Sequence, residues 1–204
     1  MTTQPKPSTA PPLTERQEAR RGRILEATAQ LAREGGYDAV QMRAVAECSQ
    51  VALGTLYRYF PSKIHLLVAV LQDRLRRLHG TLHRRQPYER DPAARVAETL
   101  GRAFDALQRE PRLADAMLHA LTSADRSASA EVEAVSRLTT QLILDALTAT
   151  PTGPAAQPPP TERQLSAVRV IAYTWHSALA AWLSGRAPVA QVRTDVETVC
   201  GLLR

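Results

Sequence analysis

The sequence predicts an all-α protein of about nine helices, with a small N-terminal three-helix head followed by a larger helical domain. Three observations predict this class. Apolar residues recur at intervals of three and four along most of the chain, strand-like alternation is nearly absent, and glycines or prolines end the apolar segments. The 204 residues suffice for one larger domain or two small ones.

The first helix is predicted from about Thr14 to Arg33. Thr14 and Gln17 have the spacing of a capping box, and the glycine pair at 35–36 is expected to end the helix. Two short helices follow at about 41–48 and 52–59, with a tight connection between them. Two short helices packed on a longer first helix are typical of a helix-turn-helix, whose second helix lies in the major groove of DNA.

A long helix is predicted from Lys63, capped by Ser62, to about Arg85. Further helices are expected at about 93–109, 111–123, 127–149, 162–185 and 188–203. The segment PTGPAAQPPP at 151–160 has five prolines and is expected to be a loop. We therefore divide the chain into a disordered arm at 1–13, a helix-turn-helix DNA-binding domain at 14–62, and a larger helical domain at 63–204.

The positive charge is concentrated in the first half of the chain. Residues 1–90 hold 15 Lys and Arg against 8 Asp and Glu, whereas residues 91–204 hold 11 against 12. This asymmetry predicts an anionic partner, such as nucleic acid, for the first half and a different role for the second. The arm at 1–13 contains four prolines and lacks the apolar stretch of a signal peptide.

Two features predict a cytoplasmic protein without a membrane partner. No apolar segment approaches the roughly 20 residues that a membrane-spanning helix needs. Cys48 and Cys200 each lie in an apolar helical pattern without CxxC spacing, so we expect two buried free thiols in a reducing compartment.

The run GTLYRYFPSK at 54–63 holds three of the chain's nine aromatic residues beside an arginine and a lysine. Leu56 and Phe60 are four apart, so we expect them in the core. Glycine permits close backbone approach, tyrosine hydroxyls reach phosphates, and a lysine at a helix N-terminus can share a phosphate with the free N–H groups. The predicted DNA contacts are Arg43, Leu53, Gly54, Thr55, Tyr57, Tyr59 and Lys63. Packing is the alternative for the two tyrosines, and the role of Arg58 stays open.

Residues 42–67, MRAVAECSQVALGTLYRYFPSKIHLL, resemble the DNA-binding signature of the TetR family of bacterial repressors, and the resemblance spans about 23–71. It implies the TetR-like fold, a dimer on a palindromic operator, and C-terminal helices that hold a ligand pocket and a two-fold interface. The sequence departs from the family pattern at Gln41, at Ser49-Gln50 and at Leu53, where a capping Ser or Thr, a glycine turn and a polar residue are usual.

The second half extends the resemblance through REPRLADAM, SADRSASAEV and IAYTWHSALAAWLSGRA. These segments are similar to the group of this family that represses cholesterol catabolism in actinobacteria. The resemblance implies a repressor of sterol or lipid catabolism that is released by a sterol-derived acyl-CoA and is associated with the nucleoid when bound to DNA. Another acyl-CoA, a fatty acid or a drug is the alternative effector, and a nonspecific DNA-binding structural protein is the alternative of another class.

Candidate pocket and interface residues come from the apolar stripes of the second half. The resemblance implies that residues 63–204 form a domain for ligand binding and dimerisation. The pocket residues predicted on this basis, with plain core as the alternative, are Leu100, Phe104, Leu107, Leu113, Met117, Leu121, Leu138, Leu142 and Trp175. The predicted dimer interface consists of Val168, Ile171, Trp175, Leu179, Trp182, Val192, Val196 and Val199, with intramolecular core as the alternative. The arginines at 74, 76, 77, 84 and 85 have three possible roles, namely a solvated face, attraction to DNA, or a site for the phosphates of a CoA.

An enzymatic function is the alternative to a DNA-binding regulator. His79 and His83 lie four apart, which is a spacing of metal ligands, but no HExxH frame and no third ligand accompany them. The chain also lacks a phosphate-binding glycine loop and a nucleophile elbow. We therefore predict no enzyme, no catalytic residues, no metal and no cofactor, with a small lipophilic effector as the only bound molecule besides DNA.

Overall fold

The computed structural model describes residues 14–84, 91–149 and 159–203. Within these ranges the chain forms nine α-helices and no strand, which confirms the predicted class. The arm at 1–13, Arg85 and most of the proline-rich loop lie outside the described residues. The helices are α1 Glu15–Ala39, α2 Met42–Cys48, α3 Leu53–Tyr59, α4 Lys63–Arg84, α5 Pro92–Arg109, α6 Pro111–Thr122, α7 Ser129–Thr148, α8 Glu162–Leu183 and α9 Val189–Cys200, with 3-10 turns at Arg126–Ala128 and Gly201–Leu203.

Helix α1 begins at the predicted cap but continues beyond its predicted end. The Gln17 N–H donates to Thr14 Oγ1 at 3.4 Å and the Thr14 N–H to Gln17 Oε1 at 2.8 Å, which completes the capping box. The glycine pair at 35–36 interrupts the helix instead of ending it. Gly36 has a φ of 67°, in the region that favours glycine, and the chain then makes a further turn to Ala39.

The turn between α2 and α3 closes without a glycine. Gln50 adopts a φ of 55°, its N–H donates to the Glu47 carbonyl at 3.1 Å, and the Val51 N–H donates to the Ala46 carbonyl at 3.0 Å. This pair of bonds is the Schellman motif that ends a helix, in which glycine usually occupies the left-handed position. The departure from the family pattern at Ser49-Gln50 therefore leaves the helix-turn-helix intact.

Two apolar cores organise the described chain. The first contains residues of α1 to α4 together with Leu113, Met117 and Ala120 of α6, so the core of the head continues into the second half. The second core joins α5, α7, α8 and α9. Helix α4 packs against α1, α6 and α7, and α1 packs directly against α6. Both α4 and α1 therefore connect the head with the larger helical bundle.

Two polar contacts tie the helices of the larger bundle to α4 and to one another. His65, buried near the start of α4, bonds Ser62 Oγ at 2.9 Å and the Ser127 carbonyl at 3.2 Å through its two ring nitrogens. The buried Arg95 guanidinium donates to the carbonyls of Ala146 and Leu147 at 3.0 and 2.8 Å. Those carbonyls end α7 and lack partners in their own helix, so Arg95 acts as a C-terminal cap.

The two cysteines are free, as predicted, but only one of them is buried. Cys48 is exposed because α2 turns Val45 and Ala46 inward, and the prediction that Cys48 is buried is wrong. Cys200 lies in the second core, where burial first and then Glu197 raise the pKa of its thiol to about 12. None of the described helices is long and apolar enough to cross a bilayer.

Candidate DNA-binding face and effector cavity

Helix α3 divides into a buried side and an exposed side. Leu56 and Phe60 are buried in the first core, as expected. Tyr57 is 47% exposed, and Gly54 and Arg58 also lie at the surface. Tyr57 belongs to neither of the two apolar cores of the described residues, so this side of α3 is available to a partner.

Gly54 has no structural reason within the chain to be glycine. A Cβ at this position meets no atom within 4 Å, and the backbone does not adopt the left-handed conformation. Glycine in a helix costs roughly 0.5–1 kcal/mol relative to alanine. No contact among the described residues therefore requires a glycine at this exposed position, which is consistent with the prediction that DNA approaches α3 closely here.

The other predicted contacts differ in exposure. Arg43 is exposed at the second position of α2, where its guanidinium can extend from the surface. Thr55 is half-buried, and Leu53 and Tyr59 are half-buried against the first core. The Tyr59 ring also lies 6.3 Å from the Phe60 ring. Leu53 and Tyr59 thus have a packing role, and only part of each side chain remains for DNA.

Lys63 stands at the first position of α4 and is already engaged in the unbound chain. Its Nζ donates to the Tyr37 carbonyl at 3.0 Å and lies 3.7 Å from the centroid of the Tyr37 ring. The Tyr37 ring also packs against the His119 ring of α6, and the two ring centroids are 4.1 Å apart. The ammonium that we predict to bind a phosphate is therefore held by a residue that also packs against the larger bundle.

A cavity of about 320 Å³ lies between α4, α5, α6, α7 and α8. Its wall is mainly apolar, with a smaller number of polar and charged groups among the lining residues. Five of the predicted pocket residues line it, namely Leu107, Leu113, Met117, Leu121 and Trp175. Such a cavity, with apolar walls and a few convergent polar groups, is the usual form of a small-molecule site.

The remaining predicted pocket residues lie elsewhere. Leu100 and Phe104 line a second cavity between α5 and α9, on the other side of Trp175. Phe104 is fully buried, with its ring edge-on to Trp175 and Trp182 at 6.4 and 5.0 Å. Leu138 and Leu142 of α7 line neither of the two cavities. The apolar spacing marked these four as inward-facing, but the helix arrangement directs them away from the first cavity.

Three arginines line the first cavity, and two of them were candidates from the sequence. Arg74 and Arg77 belong to α4, and Arg109 ends α5. Arg74 Nη2 lies 3.4 Å from Glu110 Oε2, and Arg77 Nε lies 2.7 Å from Asp73 Oδ2. The sequence did not predict that Arg109 lines this cavity. Its position depends on where the end of α5 lies relative to α4, for which the sequence carries no signal.

His176 of α8 lines the same cavity. Its Nδ1 lies 2.8 Å from the Ala172 carbonyl, so this nitrogen donates and, in the neutral ring, Nε2 is left as an acceptor. Burial lowers the pKa of His176, an effect that the bond to the Ala172 carbonyl only partly opposes. The ring is therefore neutral at physiological pH and supplies a hydrogen-bond acceptor in a mainly apolar wall.

The residues predicted to form the dimer interface lie in the interior of the one chain. All of them except Trp182 are at most 9% exposed, and all belong to or pack against the second core. They have almost no surface for a second subunit, so the intramolecular alternative describes their position. The exposed apolar residues are on the opposite side of α8 and after α9, namely Leu165, Val170, Tyr173 and Leu202.

The histidine spacing does not produce a metal site among the described residues. His79 Nε2 pairs with the carboxylate of Asp145 on α7, and the His83 side chain lies outside the described residues. No group of three or more potential ligands gathers in the described part of the chain.

Comparison with known proteins agrees with this geometry. Residues 24–70 match the family described as "Bacterial regulatory proteins, tetR family", and residues 89–203 match "Tetracyclin repressor-like, C-terminal domain". The chain is 46% identical over 187 residues to the HTH-type transcriptional repressor KstR of Rhodococcus jostii, covering 92% of this chain and 84% of that repressor.

Solved structures share the architecture. A TetR transcriptional regulator from Rhodococcus sp. RHA1 superimposes with a TM-score of 0.81 at 35% identity, covering 93% of this chain and 97% of that one. FadR of Thermus thermophilus, a TetR-family repressor solved in complex with lauroyl-CoA, superimposes with a TM-score of 0.67 at 20% identity. It covers 90% of this chain and 92% of the FadR chain, and at this identity the likeness concerns the fold alone.

Proposed function

The chain belongs to the TetR family of bacterial transcriptional regulators, and we propose that it represses sterol or lipid catabolism and is released from DNA by a sterol-derived acyl-CoA. One observation carries the proposal. Helix α4 begins at Lys63, shortly after α3 ends at Tyr59, and lines the apolar cavity further along its length. A ligand in the cavity therefore contacts the same helix that holds the DNA-binding head.

The cavity suits a long apolar group attached to an anionic one. Leucines, alanines and Met117 form most of the wall, and the arginines at 74, 77 and 109 also line it. Guanidinium groups match the geometry of phosphate oxygens, so a CoA thioester can place its acyl or sterol part inside and its phosphates at the arginines. The identity to KstR repressors over most of the chain favours a sterol-derived acyl group.

A palindromic operator requires two heads, and therefore a homodimer. The exposed side of α8, with Val170 and Tyr173, supports an interface there because it is the largest exposed apolar feature of that helix. In such a dimer the recognition helices lie about one helical turn of DNA apart, roughly 34–36 Å. A DNA-bound regulator of this kind acts in the cytoplasm, at the nucleoid.

Release follows if the ligand binds more tightly to a conformation in which the heads no longer match this spacing. Only such a difference in affinity can shift the equilibrium between the two conformations. The helices that form the cavity include α4 and α6, and both also contribute to the first core around the head. Filling the cavity can therefore change the position of the head without any contact between ligand and DNA.

The test begins with an operator selected from random duplexes by the full-length protein. We expect an inverted repeat, bound far more tightly than unselected DNA at the same salt concentration. Titration of this complex with cholestenoyl-CoA should lower the fluorescence anisotropy of the labelled operator, whereas palmitoyl-CoA tests the fatty acyl alternative. Equal affinity for selected and unselected DNA would indicate a nonspecific binder. Retention of the operator in the presence of every thioester would contradict the induction mechanism.

A further inference from the structure

Glu110 contacts the head through its side chain, lines the cavity, and connects two helices through its backbone. It is the single residue between α5 and Pro111 at the start of α6, with a non-helical φ of −131° and ψ of 62°. Glu110 Oε1 lies 3.2 Å from Arg33 Nε of α1, and Glu110 Oε2 lies 3.4 Å from Arg74 Nη2 of α4. One carboxylate thus holds two guanidinium groups, one from the head and one from the wall of the cavity.

The two arginines differ in their other contacts. Arg74 and Glu110 both line the cavity, whereas Arg33 does not. Arg33 also lies 3.2 Å from Glu26 Oε1 within α1, at Nη2. Burial alone would lower the pKa of Arg33, but the bonds to Glu26 and the charge of Glu110 raise it, so this guanidinium stays charged and bound to carboxylates. Arg74, in contrast, is the partner that a molecule in the cavity can reach.

We propose that Glu110 occupies, in the unliganded protein, the place of an anionic group of the effector, and that the effector releases the head by taking Arg74 from Glu110. This inference rests on the proposed function, since it requires an anionic effector in the cavity. An anion at Arg74 lies next to the Glu110 carboxylate and repels it. Glu110 then moves with the α5–α6 hinge, and its bond to Arg33 on α1 is lost.

The two ion pairs of Glu110 are weak enough for one of them to be replaced when an effector binds. The side chains of Arg33, Glu110 and Arg74 are 26%, 32% and 36% exposed, so water screens the pairs and each is weak enough to exchange partners. A second contact lies along the same α1–α6 boundary, where Arg112 Nη1 donates to the Glu34 carbonyl at 2.6 Å. Displacement of the hinge therefore acts on two attachments between α6 and the end of α1.

The variant Glu110→Gln tests the exchange, because glutamine keeps the size of the side chain and removes its charge. Cholestenoyl-CoA binding is measured by quenching of tryptophan fluorescence, since Trp175 lines the cavity. Operator affinity is measured separately by anisotropy, with and without the thioester. The variant should bind the thioester about threefold more tightly, because no carboxylate competes for Arg74. The factor by which the thioester weakens operator binding should fall at least about threefold, which is the scale of a partly exposed ion pair.

A second variant and a control separate this exchange from a general effect on folding. Arg33→Gln removes the ion pair between Glu110 and the head and leaves the pair between Glu110 and Arg74, so the factor by which the thioester weakens operator binding should again fall. Glu26→Gln is the matched control, because Glu26 contacts Arg33 but does not line the cavity. In Glu26→Gln, the thioester should weaken operator binding by the same factor as in the wild type. Thermal unfolding checks that each variant is folded.

The outcomes distinguish the two proposals. Suppose that the wild type binds the thioester and releases DNA, and that the thioester weakens operator binding by the same factor in Glu110→Gln and Arg33→Gln. The exchange at Arg74 is then wrong and the proposed function stands. If wild type does not bind the thioester, the proposed function fails, and the exchange fails with it. An equal loss of this factor in Glu26→Gln would also overturn the exchange, since that variant keeps both ion pairs of Glu110, with Arg33 and with Arg74.

Discussion

The ammonium of Lys63 lies over the ring of Tyr37, 3.7 Å from its centroid, and donates to the Tyr37 carbonyl at 3.0 Å. A cation over an aromatic face gains about 0.5–1 kcal/mol at an exposed site. The same tyrosine packs against His119 of α6. The head and the larger helical bundle therefore meet at Tyr37, the residue that holds the lysine predicted to bind phosphate.

Lys63→Ala should weaken binding to all DNA sequences by a similar factor. One fewer phosphate contact should reduce the slope of log affinity against log salt by about one. Anisotropy titrations over a series of salt concentrations measure this slope for the selected operator and for random DNA. Lys63→Arg retains the charge and should retain the slope. An unchanged slope in Lys63→Ala would place the DNA-binding face elsewhere.

Gly54→Ala should separate folding from DNA binding. The added methyl group meets no atom of the protein, and alanine favours helix, so the free energy of unfolding should stay the same or rise by up to ~1 kcal/mol. Operator affinity should fall about tenfold, because the methyl group occupies the space of the DNA backbone or a base edge. Gly80→Ala is the control, since its Cβ is equally unobstructed but lies on α4. A Gly54→Ala variant with full affinity would contradict close approach at α3.

Tyr173→Glu should disrupt the proposed dimer. Tyr173 is 72% exposed in the single chain, so the substitution leaves the fold intact while it places a charge in an apolar interface. Light scattering after size exclusion should give the mass of one chain for the variant and two for the wild type. Ser136→Glu, on an exposed position of α7, should remain dimeric. A dimeric Tyr173→Glu protein would move the interface away from this side of α8.

His176 predicts a pH dependence of stability. Its pKa is lowered in the folded protein, so the unfolded chain takes up a proton near pH 6.5 while the folded chain does not. The free energy of unfolding should therefore fall as the pH decreases below about 6.5, by at most about 1.4 kcal/mol per pH unit from this residue. Urea unfolding of wild type and His176→Gln measures the difference. A wild type and a variant with parallel pH profiles would contradict this role.

The sequence predicted the fold class and α3 well because both depend on local patterns. The spacing of Leu56 and Phe60 marked the buried side of a short helix, and Thr14 with Gln17 marked a helix start, without any knowledge of distant contacts. These features are decided within one or two helical turns. The resemblance to a known family then assigned the other side of α3 to DNA.

The interface and part of the pocket depended on tertiary arrangement, which periodicity does not describe. The stripe with Ile171 and Trp175 is apolar whether it faces its own chain or a second subunit, and the structure turns it inward. Tyr173 stands on the opposite side, where a single exposed ring gave little periodic signal. Glu110 reaches the cavity only because α5 and α6 meet there, so its two ion pairs, with residues 36 or more positions away, were not predictable.

The central claim is that the cavity and the DNA-binding face are energetically coupled, and reciprocity tests it most directly. The affinity of cholestenoyl-CoA should be measured by calorimetry for the free full-length protein and for the protein saturated with its selected operator. Linkage requires the operator to weaken thioester binding by the same factor by which the thioester weakens operator binding, typically about 5- to 150-fold. Equal thioester affinity in the free and the operator-bound protein would show that a ligand in the cavity does not change operator affinity, and would contradict the proposed coupling.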